Sequence, residues 1–228
     1  MKKILFVLTS HGKKGDTGMP TGFYLSEVTH PHKVLVAAGF DVDFVSPQGG
    51  EPPIDGLDLN DPVNKAFMED SRYLNQIKTT MRPEQVAPLT YQAIHYAGGH
   101  GTMWDFPDNA RLAKIAAAIY EKGGVVSAVC HGPAGLVNTM LSNGKPLVDG
   151  KEVTSFTNEE EEAVEMTTVV PFLLESRLKS RGALFSKADA FSSHVVVSSR
   201  LITGQNPASA MGVGQAMADL LSGNRKSS

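Results

Sequence analysis

With 228 residues, 41% hydrophobic and 20% charged, the chain has the size and balance of one domain, residues 1–228, with a full buried core. A formal net charge of −3, with acids and bases interspersed, excludes the basic stripe of a nucleic-acid or anionic-membrane binder, and neither partner is expected. One cysteine excludes an intrachain disulfide and fits a reducing compartment, so a cytoplasmic location is expected.

The first predicted element is a strand over residues 4–9, continuously apolar as in a parallel sheet covered on both faces. Behind Met1-Lys2-Lys3 it superficially resembles a secretory signal, but the apolar run is short and leads into Ser10-His11-Gly12 without a small-residue cleavage site. No apolar stretch approaches the roughly 20 residues that span a bilayer. A loop bearing glycine and lysine follows, then a helix over 24–38 stopped by Gly39 and a strand over 41–46. Residues 51–88 show little periodicity beyond a helix near 63–76. Next come a strand over 91–97, a tight loop at 98–101 and an amphipathic helix over 110–121 closed by Gly123-Gly124. A strand over 125–129 runs into Cys130-His131-Gly132, and a helix is predicted from there to about Leu141. Residues 152–156 read as a short strand, and 158–164 and 168–182 as helices, with Pro171 in the first turn of the second. Strands over 194–198 and 201–204 flank a Ser-Ser-Arg turn, and a helix over 209–221 precedes a tail, 223–228, expected to fray.

Strands alternating with helices predict an α/β fold, a flavodoxin-like doubly wound, mostly parallel sheet with helices on both faces. Ligands of such sheets bind beyond the carboxyl ends of the strands. Three loops qualify: the one after the first strand, 98–101, and 130–132.

The third loop carries the strongest chemical signal. Ala128-Val129-Cys130-His131-Gly132 puts a nucleophilic side chain between strand and helix, with small residues two before and two after, as a nucleophile elbow requires. A helix N-terminus behind Cys130 would lower its pKa and hold it as a thiolate. The backbone N–H groups of His131 and Gly99 can together form an oxyanion hole. A free cysteine is ordinarily a small buried hydrophobe; its place at this junction argues for reactivity.

Other signals are weaker. His30 and His32, with His11 and Glu27 nearby in sequence, lack the spacing of a metal site, and no metal is expected. The loop after the first strand has no phosphate-cradling fingerprint, so no cofactor is expected either. His95 reads as a core or supporting group, while His100 and His194 stand where they can line a pocket. Asn158 reads as an N-cap with Glu161 three residues on, a capping box, and most of the run Glu159 to Glu162 serves the helix dipole.

Several stretches together resemble the ThiJ/PfpI superfamily (class I glutamine amidotransferase-like). They are the elbow 128–134 (Ala-Val-Cys-His-Gly-Pro-Ala), the loop 97–101 (Ala-Gly-Gly-His-Gly), and Glu27 followed by His30-Pro31. Within it the chain is similar to the branch of glutathione-independent glyoxalases, heat-shock chaperone-like proteins and protein deglycases. Residues 38–40, 42–47, 156–162 and 201–207 extend the match over nearly the whole chain.

The resemblance implies a homodimer and a cofactor-independent glyoxalase III-type lyase (D-lactate dehydratase). Its small-molecule substrate would be a 2-oxoaldehyde, methylglyoxal, converted to lactate. It also implies that Cys130 and His131 are the central pair and that Glu27 is the acid beside the nucleophile. Glu161 is the implied acid that orients His131, with Glu159 and Asn158 as rivals. Since an ionised carboxylate beside Cys130 would raise the thiol pKa, Glu27 is expected to be partly buried and protonated. Members of the family also act as amidases or chaperones. A cysteine amidase or peptidase, or a non-enzymatic stress holdase or oxidation sensor, is therefore the alternative.

Overall fold

The computed structural model describes residues 2–223, so the tail expected to fray lies, apart from Gly223, outside the described residues. The first half of the chain forms β1 (Lys3–Val7), β2 (Phe23–Tyr24), α1 (Ser26–Ala37), β3 (Asp41–Val45), β4 (Ile54–Asp55), α2 (Pro62–Glu69), α3 (Ser71–Lys78), β5 (Tyr91–Tyr96), α4 (Thr102–Asp105) and α5 (Ala110–Glu121). The second forms β6 (Val125–Val129), β7 (Glu152–Val153), α6 (Asn158–Ala163), α7 (Leu174–Ser180), β8 (Leu184–Phe185), β9 (Val195–Ser198), β10 (Leu201–Gly204) and α8 (Ala210–Leu221). Among the described residues no helix is long and apolar enough to cross a membrane.

Six strands make one sheet in the order β3-β1-β5-β6-β10-β9. The first five are parallel, and β9 returns antiparallel to β10 across the turn at Ser199 and Arg200. This is the doubly wound, flavodoxin-like arrangement that alternation predicted. Because the order reverses between β1 and β5, a crevice opens beyond their carboxyl ends. Ile4 and Phe6 of β1 pack with Val28 and Leu35 of α1 and with Val213 and Met217 of α8. Leu5 and Val7 face the other way, onto Leu112, Ile115 and Ile119 of α5. Both faces of the strand are buried, and its sequence therefore shows no alternation.

Several boundaries differ from expectation, each for a local reason. The helix expected over 63–76 is two helices, because Asp70 adopts extended backbone (φ −80°, ψ 110°) and its carboxylate caps α3 through the Arg72 N–H. The helix expected over 24–38 gives its first residue, Tyr24, to β2, which pairs with β4. After Cys130 there is no α-helix to Leu141, only a 3₁₀ turn over Gly132–Leu136. Gly132 and Gly135 lie flush against Tyr96, where a Cβ would come within 2.2 Å of its carbonyl oxygen and 2.5 Å of its ring. The chain there follows the strand it leans on. The strand expected over 152–156 stops at Val153, since the Phe156 N–H is drawn to the Cys130 carbonyl (2.9 Å). Of the helix expected over 168–182 only α7 forms, and Pro171 lies in the turns before it rather than in its first turn.

Candidate active site

Cys130 follows the last residue of β6 with φ 59°, a left-handed conformation costing a non-glycine residue about 1–2 kcal/mol. Its backbone is held on both sides. The N–H donates to the Gly204 carbonyl (2.9 Å), and the carbonyl accepts from Phe156. The sharp bend directs the side chain past the end of the sheet, where the N–H groups of Gly99 and His131 point at Sγ. The thiol is not depressed as expected. Burial pushes it well above its usual value, outweighing the two amides, and no α-helix follows to offset that.

Glu27 sits in the first turn of α1, completely buried. Pro31, inside the same helix, has no N–H for the Glu27 carbonyl, and Nε2 of the buried His95 donates to that oxygen instead (3.1 Å). The carboxyl's Oε2 accepts from the Gly98 N–H (2.7 Å), and a Cβ on Gly98 would come within 2.4 Å of it. Oε1 is buried with no hydrogen bond of ordinary geometry, and the Cys130 thiol is the neighbouring group coupled to this carboxyl. Burial pushes Glu27 up to about 8, which exceeds the partial burial expected and leaves the carboxyl protonated at neutral pH.

His131 Nδ1 lies 3.4 Å from Sγ, and its Nε2 lies 2.8 Å from Glu161 Oε2. The other carboxylate oxygen, Oε1, is 2.7 Å from His100 Nε2. Burial alone would raise Glu161, but the neighbouring His131 and hydrogen bonds from both imidazoles hold it at about 2. Two rings thus share one carboxylate, with centroids 4.2 Å apart.

The capping box that frees Glu161 for this task is not the expected one. Thr157 caps α6 by accepting from the Glu160 N–H (3.0 Å), and the Glu160 carboxylate takes the Thr157 N–H (2.9 Å). The rivals for the place of Glu161 point elsewhere: Glu159 pairs with Lys187, and Asn158 bonds Ser176. Sequence reading missed the weight of His100, whose only signal was its place in the glycine loop.

Cys130, His131, His100 and Gly99 line a cavity of about 290 Å³. Lys14, Tyr24 and Asp55 form its polar side, and Phe156, Val164, Met166, Phe191 and Pro207 its apolar side. The scattered histidines do not join it. His30 pairs with Asp61, His32 packs among Phe6, Phe44, Phe67 and Tyr73, and His11 stacks on Trp104. His194 bonds Ser186. Three donors that can hold a cation do converge: ligand atoms of His100, His131 and Glu161 lie within 4.8 Å of one another. A metal there would have to displace both protons now shared with Glu161.

Comparison with known proteins places this geometry in context. The pattern of the DJ-1/PfpI family matches residues 19–219. The glutathione-independent glyoxalase HSP31 of Saccharomyces cerevisiae is 34% identical over 92% of this chain and 93% of its own. Glyoxalase 3 of Candida albicans is 31% identical over 92% and 94%. Among solved structures, the Rapid Encystment Protein 24 KDa of Francisella tularensis superimposes with a TM-score of 0.94 at 43% identity, covering 97% of this chain and 99% of that one. The Candida albicans glyoxalase III structure gives 0.88 at 29% identity, covering 95% of each.

Proposed function

The chain belongs to the DJ-1/PfpI family, and on that premise we propose that it is a glutathione-independent glyoxalase, a cofactor-independent lyase converting methylglyoxal and related 2-oxoaldehydes to 2-hydroxy acids. The observation that carries the reading is the linear order Cys130–His131–Glu161 (3.4 and 2.8 Å) at the wall of a cavity sized for a small molecule. The names of the relatives supply the substrate class. A homodimer in the cytoplasm completes the proposal, as the family resemblance suggests.

Each group has a task in this chemistry. Glu161 is ionised and accepts the Nε2–H of His131, so in the neutral ring the lone pair sits on Nδ1, facing the sulfur. His131 takes the thiol proton as Sγ bonds to the aldehyde carbon. The new oxyanion is received by the amides of Gly99 and His131 and reprotonated by His131, giving a hemithioacetal. Glu27, protonated, stabilises negative charge on the sulfur whenever it is free. A proton then leaves the first carbon and one reaches the second through an enediol. Water cleaves the resulting thioester, releasing the 2-hydroxy acid and restoring the thiol.

A cysteine amidase or peptidase would use the same pair, but the cavity argues against a peptide substrate, since Cys130 is only 4% exposed. The test is lactate production from methylglyoxal without glutathione. Wild type should form it and Cys130→Ala should not; release of ammonia or peptide in place of lactate would favour the amidase.

A further inference from the structure

The proposed reaction moves protons in two places: among the sulfur and the two substrate oxygens, and between the two carbons. His131 Nδ1 is committed to the first task by its position beside Sγ. A second imidazole stands at the same cavity in the same arrangement. His100 points Nε2 at Glu161 Oε1 (2.7 Å), as His131 points its own at Oε2. A carboxylate only accepts, so both rings carry a proton on Nε2, and in each neutral ring the lone pair lies on Nδ1. Nδ1 of His100 has no partner among the described residues, and the ring lines the cavity with 14% of its side chain exposed.

Resting on the glyoxalase reading, we propose that His100 is a second catalytic base, which carries the proton from the first carbon of the bound substrate to the second. His100 Nδ1 takes the hydrogen of the hemithioacetal carbon as a proton, and the electron pair left behind becomes the carbon–carbon double bond of an enediolate. His131 passes the hydroxyl proton of the first carbon to the oxygen of the second. His100 then returns its proton to the second carbon as the first carbon's oxygen closes to a carbonyl, leaving the thioester. No external oxidant or reductant enters, and both imidazoles end as they began. Burial pushes His100 down to about 4, so the ring that faces the cavity is neutral.

Glutamine separates this role from positioning, because the side-chain amide of His100→Gln still donates to Glu161 but offers no base. The variant should lose about 100-fold or more in kcat with KM within about 3-fold of wild type. Its melting temperature and the pH profile of Cys130 alkylation by iodoacetamide should be unchanged. Mass spectrometry should find the methylglyoxal adduct building up on Cys130. His100→Asn serves as the second variant should the first not fold. Lactate formation by His100→Gln within about 3-fold of wild type would overturn the inference and leave the glyoxalase reading intact. A loss matched by slower thiol alkylation would overturn it too, since His100 would then act only through His131. Wild type that makes no lactate would remove both.

Discussion

Glu160 and Glu161 leave one turn of α6 in opposite directions. The Glu161 carboxylate lies buried behind the cavity wall, between His131 and His100, while that of Glu160 is buried against Thr157, Phe191, Gln205 and Asn206. Neighbours in sequence therefore serve different ends, and substitution should separate them. Glu161→Gln puts an amide donor against imidazole N–H groups and should lower kcat by about 10³–10⁴-fold, as loss of an orienting acid does in other triads, with little change in melting temperature. Glu160→Gln should destabilise the fold by about 1–3 kcal/mol in urea titrations, because buried donors lose their acceptor. It should also raise KM, since the Phe191 N–H is anchored there.

Cys130 combines reactivity with a backbone conformation that suits glycine. Cys130→Ala and Cys130→Gly should both lose turnover. The glycine variant should be the more stable of the two by about 1 kcal/mol in denaturant unfolding, the reverse of their usual order in ordered backbone.

Glu27 makes stability depend on pH in an unusual direction. Below about pH 4.5 the carboxyl is protonated in folded and unfolded chains alike, and its contribution is fully present. As pH rises toward the folded value of about 8, the unfolded chain releases the proton and the folded chain retains it, so that contribution is lost. Urea unfolding at pH 5 and pH 8 should show Glu27→Gln gaining on wild type at the higher pH by a few kcal/mol at most. A gain at the lower pH instead would mean that the folded carboxyl is ionised.

His32 acts at the other end of the scale. Burial pushes it down to about 4, with the charge of Asp70 a smaller opposing influence. Between pH 6.5 and 4 the unfolded chain takes up a proton that the folded ring refuses, and stability falls as acid is added. His32→Leu, which cannot titrate, should gain on wild type by about 1–3 kcal/mol between pH 7 and pH 4.5, read from melting curves at the two pH values.

The parts legible in sequence were those set by short-range pattern. The apolar runs of β1, β5 and β6 gave the sheet, and the small residues flanking Cys130 marked the elbow. The 3₁₀ turn after it was misread because the spacing of Leu136, Val137 and Leu141 looks helical, whereas Gly132 and Gly135 are set by contact with a distant strand. Thr157 and Asn158 are both good caps, and a one-residue ambiguity decides which glutamate faces the two histidines. His100 meets its carboxylate 61 residues further along, a relationship no local pattern carries. The state of the thiol was misjudged because burial, the dominant influence on it, belongs to the assembled fold.

Phe191 stands at φ 62° with its ring half exposed at the cavity and edge-on to Phe156. A bulky residue in that backbone region is held there at a cost of about 1–2 kcal/mol. Exchanging the ring for glycine would relax the loop and widen the aperture in a single step. Tolerance of larger substrates and resistance to unfolding would then rise together, so Phe191 is a place where catalytic breadth can be engineered without the customary sacrifice of robustness.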